Sequence, residues 1–186
     1  MLEFNIPSQV WFPVVTLVAG TVLKGIFDAL ADKRTRLRER ESRYDLRRDA
    51  NALRRAEFQR TTLLELQETV SQLARATGQI HHHDLTAFRE SGVWRQNPVP
   101  EVVNDGYLLA TTRIGQLRVR VRDEQIRQLA KDFTGACADA GYTRNEAEAN
   151  AKVGTVLDLH QRLMERLGTV LRAIDEDEDR LVADGR

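Results

Sequence analysis

The chain changes character abruptly between residues 23 and 33. No charged side chain occurs from Phe4 to Leu23, whereas residues 33–48 contain eight basic side chains and only three acidic ones. The basic residues are Lys33, Arg34, Arg36, Arg38, Arg40, Arg43, Arg47 and Arg48. An apolar stretch followed by a basic run is typical of a membrane anchor with a cytoplasmic body. The pattern predicts a single-pass transmembrane helix within residues 10–31, after a short extracytoplasmic N-terminus at residues 1–9.

The predicted anchor has a length that suits a bilayer. A helix over residues 12–30 would have 19 residues. At 1.5 Å per residue it would be about 28 Å long, close to the thickness of the hydrocarbon core. Trp11 and Phe12 suit the level of the lipid headgroups, and Pro13 suits the first turn of a helix. These residues favour a span that begins near residue 12.

Two charged residues near the end of this stretch leave alternatives open. Lys24 and Asp28 lie four residues apart, so we expect them to pair close to the interface. Gly20 belongs to a small-xxx-small spacing that lets two helices approach closely. The alternatives to a spanning helix are a cleaved signal peptide, a buried core helix of a soluble protein and a helix lying in the interface.

The orientation of the predicted anchor follows from its flanking charges. Basic residues follow the span closely and none precedes it. The positive-inside rule therefore places the body in the cytoplasm and the N-terminus outside the inner or plasma membrane. The bilayer itself is then a partner, and anionic lipids would attract the juxtamembrane basic residues, which are Lys33, Arg34, Arg36, Arg38 and Arg40.

Apolar residues at helical spacing predict a bundle in the remainder of the chain. Residues 32–77 contain neither proline nor glycine and are predicted to form a basic helical stalk that becomes a coiled-coil segment. The seam of that segment contains Leu63, Leu66, Val70 and Leu73. A second stripe near the C-terminus contains Val156, His160, Leu163 and Leu167. Both stripes predict self-association through helices, and the fold class is all-α.

The segments between and after these stripes complete the expected architecture. Residues 78–100 contain Gly92 and two prolines, which indicates an irregular connector. Residues 101–174 are predicted to form a hairpin of two long helices that folds back on the basic helix as an antiparallel bundle. The acidic residues 175–179 begin a tail, residues 175–186, where the last helix is expected to fray.

Two local signals fall within the predicted hairpin. The first helix is expected to run to about Ala140, although the alternating sequence over residues 117–122 is by itself a strand signal. The second helix begins at a capping box, in which Thr143 would accept the amide of Glu146. The hairpin is therefore predicted to have a single break, between residues 140 and 143.

Histidine and cysteine residues supply the only candidates for site chemistry. His81 and Asp84 are three residues apart and have the types that bind metal, with His160 as a distant third ligand. The run of histidines at residues 81–83 is equally typical of a polar loop, so we expect no metal and no cofactor. Cys137 is the only cysteine and is expected to be a small buried residue. No catalytic fingerprint or small-molecule site is recognisable, which predicts that the protein is not an enzyme.

The arginine-rich segment has two functional interpretations besides orientation in a membrane. Its side chains would contact anionic lipids, or they would bind nucleic acid or an acidic protein. The arginines are predicted to surround the helix, and only Tyr44 and Phe58 are aromatic neighbours. Both observations argue against nucleic acid as a partner. A topogenic signal on a solvated helix explains the charges without any ligand.

These observations lead to two hypotheses of function. The first is a non-enzymatic, membrane-anchored helical scaffold, adaptor or sensor arm that self-associates or binds a helical protein in the cytoplasm. In outline the chain resembles small bacterial membrane proteins with an apolar N-terminus and a charged helical body. The alternative is a peripheral or soluble arginine-rich helical module that binds nucleic acid or an acidic partner.

Overall fold

The computed structural model describes the backbone of residues 8–184. It describes the side chains of Lys24, Lys33, Arg40, Ala183 and residues 43–180. Four helices follow one another: α1 (Ser8–Ser91), α2 (Glu101–Arg118), α3 (Glu124–Ala140) and α4 (Glu146–Asp184). No strand occurs within residues 8–184. The predicted all-helical fold class is confirmed.

The chain divides into two compact units, Met1–Asn51 and Ala52–Arg186. In the part of the first unit that the structure describes, the chain is helical throughout and belongs to α1. The second unit contains the remainder of α1 together with α2, α3 and α4, and it holds the hydrophobic core.

The core of the second unit is built from the stripes that the sequence predicted. Leu63, Leu66, Val70 and Leu73 of α1 are at most 1% exposed. They belong to one cluster with buried residues of the other three helices, among them Ile114, Phe133 and Leu167. The 3-4 spacing of the stripe on α1 puts these side chains on one face, which explains why they are buried together.

The helix α1 is longer than the sequence predicted. It continues through the expected connector to Ser91, so the irregular segment is residues 92–100 rather than 78–100. Gly78 does not interrupt it, and the site where a side chain would project from Gly78 is open space. Gly92 has a φ of +71° and its amide donates to the Phe88 carbonyl at 2.7 Å. That left-handed glycine ends the helix.

The predicted helical hairpin contains three helices rather than two. The helix is interrupted between Arg118 and Glu124, which contradicts the prediction of an uninterrupted helix over residues 101–140. The Gln59 side chain holds the break from α1, because its Nε2 donates to the Arg120 carbonyl and its Oε1 accepts from the Arg122 amide, both at 2.9 Å. The break therefore depends on a residue about sixty positions away.

The start and end of α4 also differ from the predictions. Asn145, not Thr143, caps the helix: its Oδ1 accepts from the Glu148 amide at 2.9 Å, and the Glu148 carboxylate accepts from the Arg144 amide. At the other end the helix continues to Asp184 instead of fraying at residue 175. Arg60 pairs with Asp175 and Glu178, and this pairing offsets the unfavourable position of acids at a helix C-terminus.

The predicted transmembrane anchor is wrong. Within the part of the chain that the structure describes, no helix is long and apolar enough to cross a membrane. The uncharged part of α1, residues 8–23, has 16 residues. It is about 24 Å long, shorter than the hydrocarbon core of ~30 Å. The exposed Lys24 follows it directly.

This finding overturns several predictions together. The anchor at residues 10–31 is contradicted, and with it the extracytoplasmic N-terminus at residues 1–9 that the anchor implied. The predicted location in the inner or plasma membrane, with a cytoplasmic body, is contradicted as well. Residues 1–7 lie outside the described part of the chain. So do the side chains of five of the six anchor residues, namely Trp11, Phe12, Pro13, Gly20 and Asp28.

Candidate functional site

Contrary to the prediction from the sequence, the basic residues of α1 do not surround the helix evenly, because five of the eight between positions 33 and 48 share one sector. Successive residues of an α-helix are about 100° apart, so positions 33, 36, 40, 43 and 47 fall within a sector of about 80°. All five are Lys or Arg, and no other residue between 33 and 47 falls within that sector. We call this set the basic face, and its members are Lys33, Arg36, Arg40, Arg43 and Arg47.

The structure describes four of the five side chains of the basic face, and all four are exposed. Lys33, Arg40, Arg43 and Arg47 are exposed, and Arg36 lies outside the described side chains but occupies the same register. The face extends from residue 33 to residue 47, which corresponds to about 21 Å along the helix axis. A continuous row of five cations of this length has the form of a backbone-binding surface for a polyanion.

The acidic residues of the same segment lie away from the basic face. Glu41, Asp45 and Asp49 fall roughly on the opposite side of the helix, and Glu39 lies just beyond one edge of the sector. Their charge therefore reduces the positive potential of the face less than the composition alone suggests. Arg34, Arg38 and Arg48 are also outside the sector, so residues 33–48 have a basic face together with three dispersed arginines.

Two exposed hydrophobic residues lie within this segment. Tyr44 is 71% exposed and Leu46 is 66% exposed. By its register Tyr44 lies at the edge of the basic face, next to Arg40 and Arg48. An exposed aromatic residue beside a row of arginines is a further group that a nucleic acid can contact.

The predicted self-association seams lie inside the chain's own core. Leu63, Leu66, Val70 and Leu73 pack with the other predicted seam, of which Val156, Leu163 and Leu167 are at most 3% exposed. The fourth member of that second seam, His160, is half-buried, and its ring lies tilted against that of Phe133 with the ring centroids 5.9 Å apart. Burial lowers the pKa of His160. Because these side chains are already covered, association with a second copy through them would require the bundle to open.

The structure does not bring the candidate metal ligands together. Among the described residues no group of three side chains of metal-binding type is close enough to hold an ion. Asp84 instead accepts a hydrogen bond from Arg95 Nε at 3.1 Å, and its other oxygen lies 3.8 Å from His83 Nδ1. The expectation that the protein binds no metal stays a prediction.

The single cysteine is buried, as the sequence predicted. Cys137 is 1% exposed, and burial raises the pKa of its thiol to about 11, an effect that the Thr77 hydroxyl offsets only in part. The thiol is therefore protonated at neutral pH, and a protonated thiol is a poor nucleophile.

Two arginines of the second unit make contacts within the bundle. Arg113 pairs with Glu65 of α1, and Arg127 donates to the Val121 carbonyl at 2.8 Å. A third arginine, Arg60 of α1, pairs with Asp175 and Glu178 of the acidic segment near the C-terminus. Sequence reasoning had no signal for Arg60, because its partners are more than a hundred residues away.

Comparison of the chain with family models, curated proteins and solved structures finds no match in any of the three.

Proposed function

We propose that this chain is a non-enzymatic helical binding module whose basic face binds the phosphate backbone of duplex nucleic acid. The observation that supports the proposal is the sorting of charge on α1, where every residue of one ~80° sector between positions 33 and 47 is Lys or Arg. This was the alternative hypothesis from the sequence, and it does not depend on a membrane.

The dimensions of the basic face suit a duplex. An α-helix with its side chains is about 10–12 Å wide, and the major groove of B-DNA is about 12 Å wide. Phosphates of one strand are about 3.4 Å apart along the axis, so a face of about 21 Å runs past roughly six of them. Five basic side chains can each engage one phosphate along that length.

Duplex is favoured over single-stranded nucleic acid. Proteins that bind single strands combine a basic groove with aromatic side chains on which successive bases stack. Within the described side chains of the first unit, Tyr44 is the only aromatic residue. Contacts to phosphates position a protein on a duplex without reading its sequence, so the binding should be insensitive to base sequence.

The salt dependence of binding tests the proposal. Five phosphate contacts predict that the logarithm of the binding constant falls with the logarithm of salt concentration with a slope of about −4.5. Affinity should then drop about 500-fold between about 50 and 200 mM salt. The measurement is fluorescence anisotropy of a labelled duplex of roughly 20 base pairs, repeated with a second, unrelated sequence. Absence of binding at low salt, or a slope shallower than about −1, would remove nucleic acid as the partner and leave an acidic protein.

A further inference from the structure

The second unit contains a cavity of about 350 Å³ in addition to the basic face of α1. It lies among the C-terminal part of α1, the segment of residues 92–100, α2 and the C-terminal end of α3. Its volume is at the lower end of the range of cavities that hold small organic molecules. Its lining includes Asp84, Trp94, Arg95, Tyr107, Cys137 and Tyr142.

A buried ion pair sits in the wall of this cavity. The Asp84 side chain is only 5% exposed, whereas Arg95, which donates to it from Nε, is 31% exposed. The guanidinium has four more N–H groups on its two Nη atoms. These make no hydrogen bond with any residue that the structure describes. Both members of the pair line the cavity, so a molecule that enters it can accept hydrogen bonds from the Nη groups of Arg95.

The backbone holds Arg95 in an unfavourable conformation. Its φ is +58°, the only positive value at a non-glycine residue within the described chain. Left-handed backbone at a non-glycine residue is strained, and such residues cluster at active sites, ligand clamps and switch regions. The neighbouring Trp94 is fixed, because its Nε1 donates to the Thr143 carbonyl at 3.2 Å and its ring contacts Phe88 edge-on. Arg95 is thus held in place from both the backbone and its neighbour.

Part of the remaining lining of the cavity is aromatic. The Cys137 thiol and the Tyr107 phenol are both uncharged at neutral pH, since burial raises the pKa of each group. At the rim Leu108 is 54% exposed and Tyr142 is 82% exposed, which is unusual for side chains of this size. These surfaces suit a flat apolar body, while the guanidinium suits a carboxylate, which it can bind through two parallel N–H groups.

We propose that this cavity binds a small monocarboxylate with an aromatic body, with Arg95 holding the carboxylate and Trp94, Tyr107 and Tyr142 surrounding the ring. The proposal is independent of the binding of nucleic acid, since none of its residues belongs to the basic face. Asp84 is a positioning residue: it holds the guanidinium by its Nε edge and leaves the Nη edge for the ligand.

Three probes that share one body and differ in one group test this proposal. They are 3-phenylpropionate, 3-phenylpropan-1-ol and 3-phenylpropylamine. Binding is followed by the fluorescence of Trp94 in the full chain with the substitution Trp11→Phe, which leaves Trp94 as the only tryptophan. A hydrogen-bonded carboxylate should bind at least about tenfold more tightly than the alcohol, and the amine should bind most weakly. Equal affinities, a preference for the amine, or no binding of the acid at about 5 mM would overturn the proposal.

Variants separate the role of Arg95 from a general effect of charge. The double variant Asp84→Asn/Arg95→Gln replaces the ion pair by a neutral pair and should abolish the preference for the acid. The matched control, Arg89→Gln, removes an exposed arginine of α1 that does not line the cavity and should leave the preference unchanged. If the double variant does not fold, Arg95→Lys is used instead. It keeps the positive charge but loses the planar guanidinium that can bind a carboxylate through two N–H groups, so it should reduce the preference for the acid. A folded variant of Arg95 that retains the full preference would overturn the proposal.

Discussion

Asp123 begins α3 and links it to α4, so its removal should destabilise the bundle by a predictable amount. Its Oδ1 accepts the amide of Ile126 at 2.8 Å, and its Oδ2 accepts from Arg166 Nη2 at 2.6 Å. Loss of a helix N-cap costs about 1 kcal/mol. Loss of a partly exposed hydrogen-bonded ion pair costs up to about 1 kcal/mol more. Asp123→Ala should therefore lower the free energy of unfolding by about 2 kcal/mol.

A matched variant divides this loss into its two parts. Asparagine caps a helix as well as aspartate does, so Asp123→Asn keeps the hydrogen bond to the Ile126 amide. It loses the charge and the oxygen that accepts from Arg166, because the amide NH2 that replaces this oxygen cannot accept a hydrogen bond. Its cost should be about half that of the alanine variant. The assay is urea denaturation followed by circular dichroism, with an unchanged dependence on denaturant as the check that both variants unfold like the wild type.

The pH dependence of the same variants gives an independent check. Burial acts to raise the pKa of Asp123, but the hydrogen bonds from Arg166 and the Ile126 amide outweigh it and hold the pKa below its ordinary value. A carboxyl with a lower pKa in the folded state contributes stability above its unfolded-state pKa of about 3.9, and this contribution is lost as pH falls through the folded-state pKa. The gap between wild type and Asp123→Asn should therefore close in acid. Equal costs for the two variants, or a gap that does not change with pH, would refute the assignment.

Three further predictions concern the core. Leu66→Ala should lower the free energy of unfolding by about 2–5 kcal/mol because Leu66 is fully buried. Leu64→Ala, at a half-exposed site, should lower it by under about 1 kcal/mol. Similar urea midpoints for the two variants would contradict this prediction. Cys137 should resist a thiol reagent at about pH 8 in the folded protein and react once the chain is unfolded; rapid labelling without denaturant would contradict its burial. His160 has a lowered pKa, so stability should fall as pH drops below about 6.5, and His160→Leu should remove that part of the loss; an unchanged pH profile in the variant would contradict this.

The sequence predicted the helices and much of the core because both depend on local periodicity. The spacing of Leu63, Leu66, Val70 and Leu73 marks one face of a helix, and that face is buried. The breaks were harder to predict, because the one before α3 depends on Gln59 of a distant helix. The end of α1 was misplaced since a histidine run and Gly78 are tolerated within a helix that is packed along its length.

The candidate sites were predictable to different extents. The basic face follows from the angle between successive residues of a helix, so it was predictable from the sequence. We instead predicted from the sequence that the arginines surround the helix. The pairing of Asp84 with Arg95 was not predictable, because Arg95 reaches back across the turn at Gly92 in a left-handed backbone conformation. Asp84 was considered as a metal ligand on the strength of its neighbouring histidines, and its actual partner lies eleven residues further along the chain.

Two triple variants with the same loss of charge test the central proposal most directly. Arg36→Gln/Arg40→Gln/Arg47→Gln removes three cations from the basic face, and Arg34→Gln/Arg38→Gln/Arg48→Gln removes three from outside it. Measured on the same labelled duplex, the first should make the salt slope shallower by about 2.7, to near −1.8, while the second keeps it near −4.5. Equal slopes for the two variants would show that net charge, rather than the arrangement on α1, governs binding, and would contradict the proposed function.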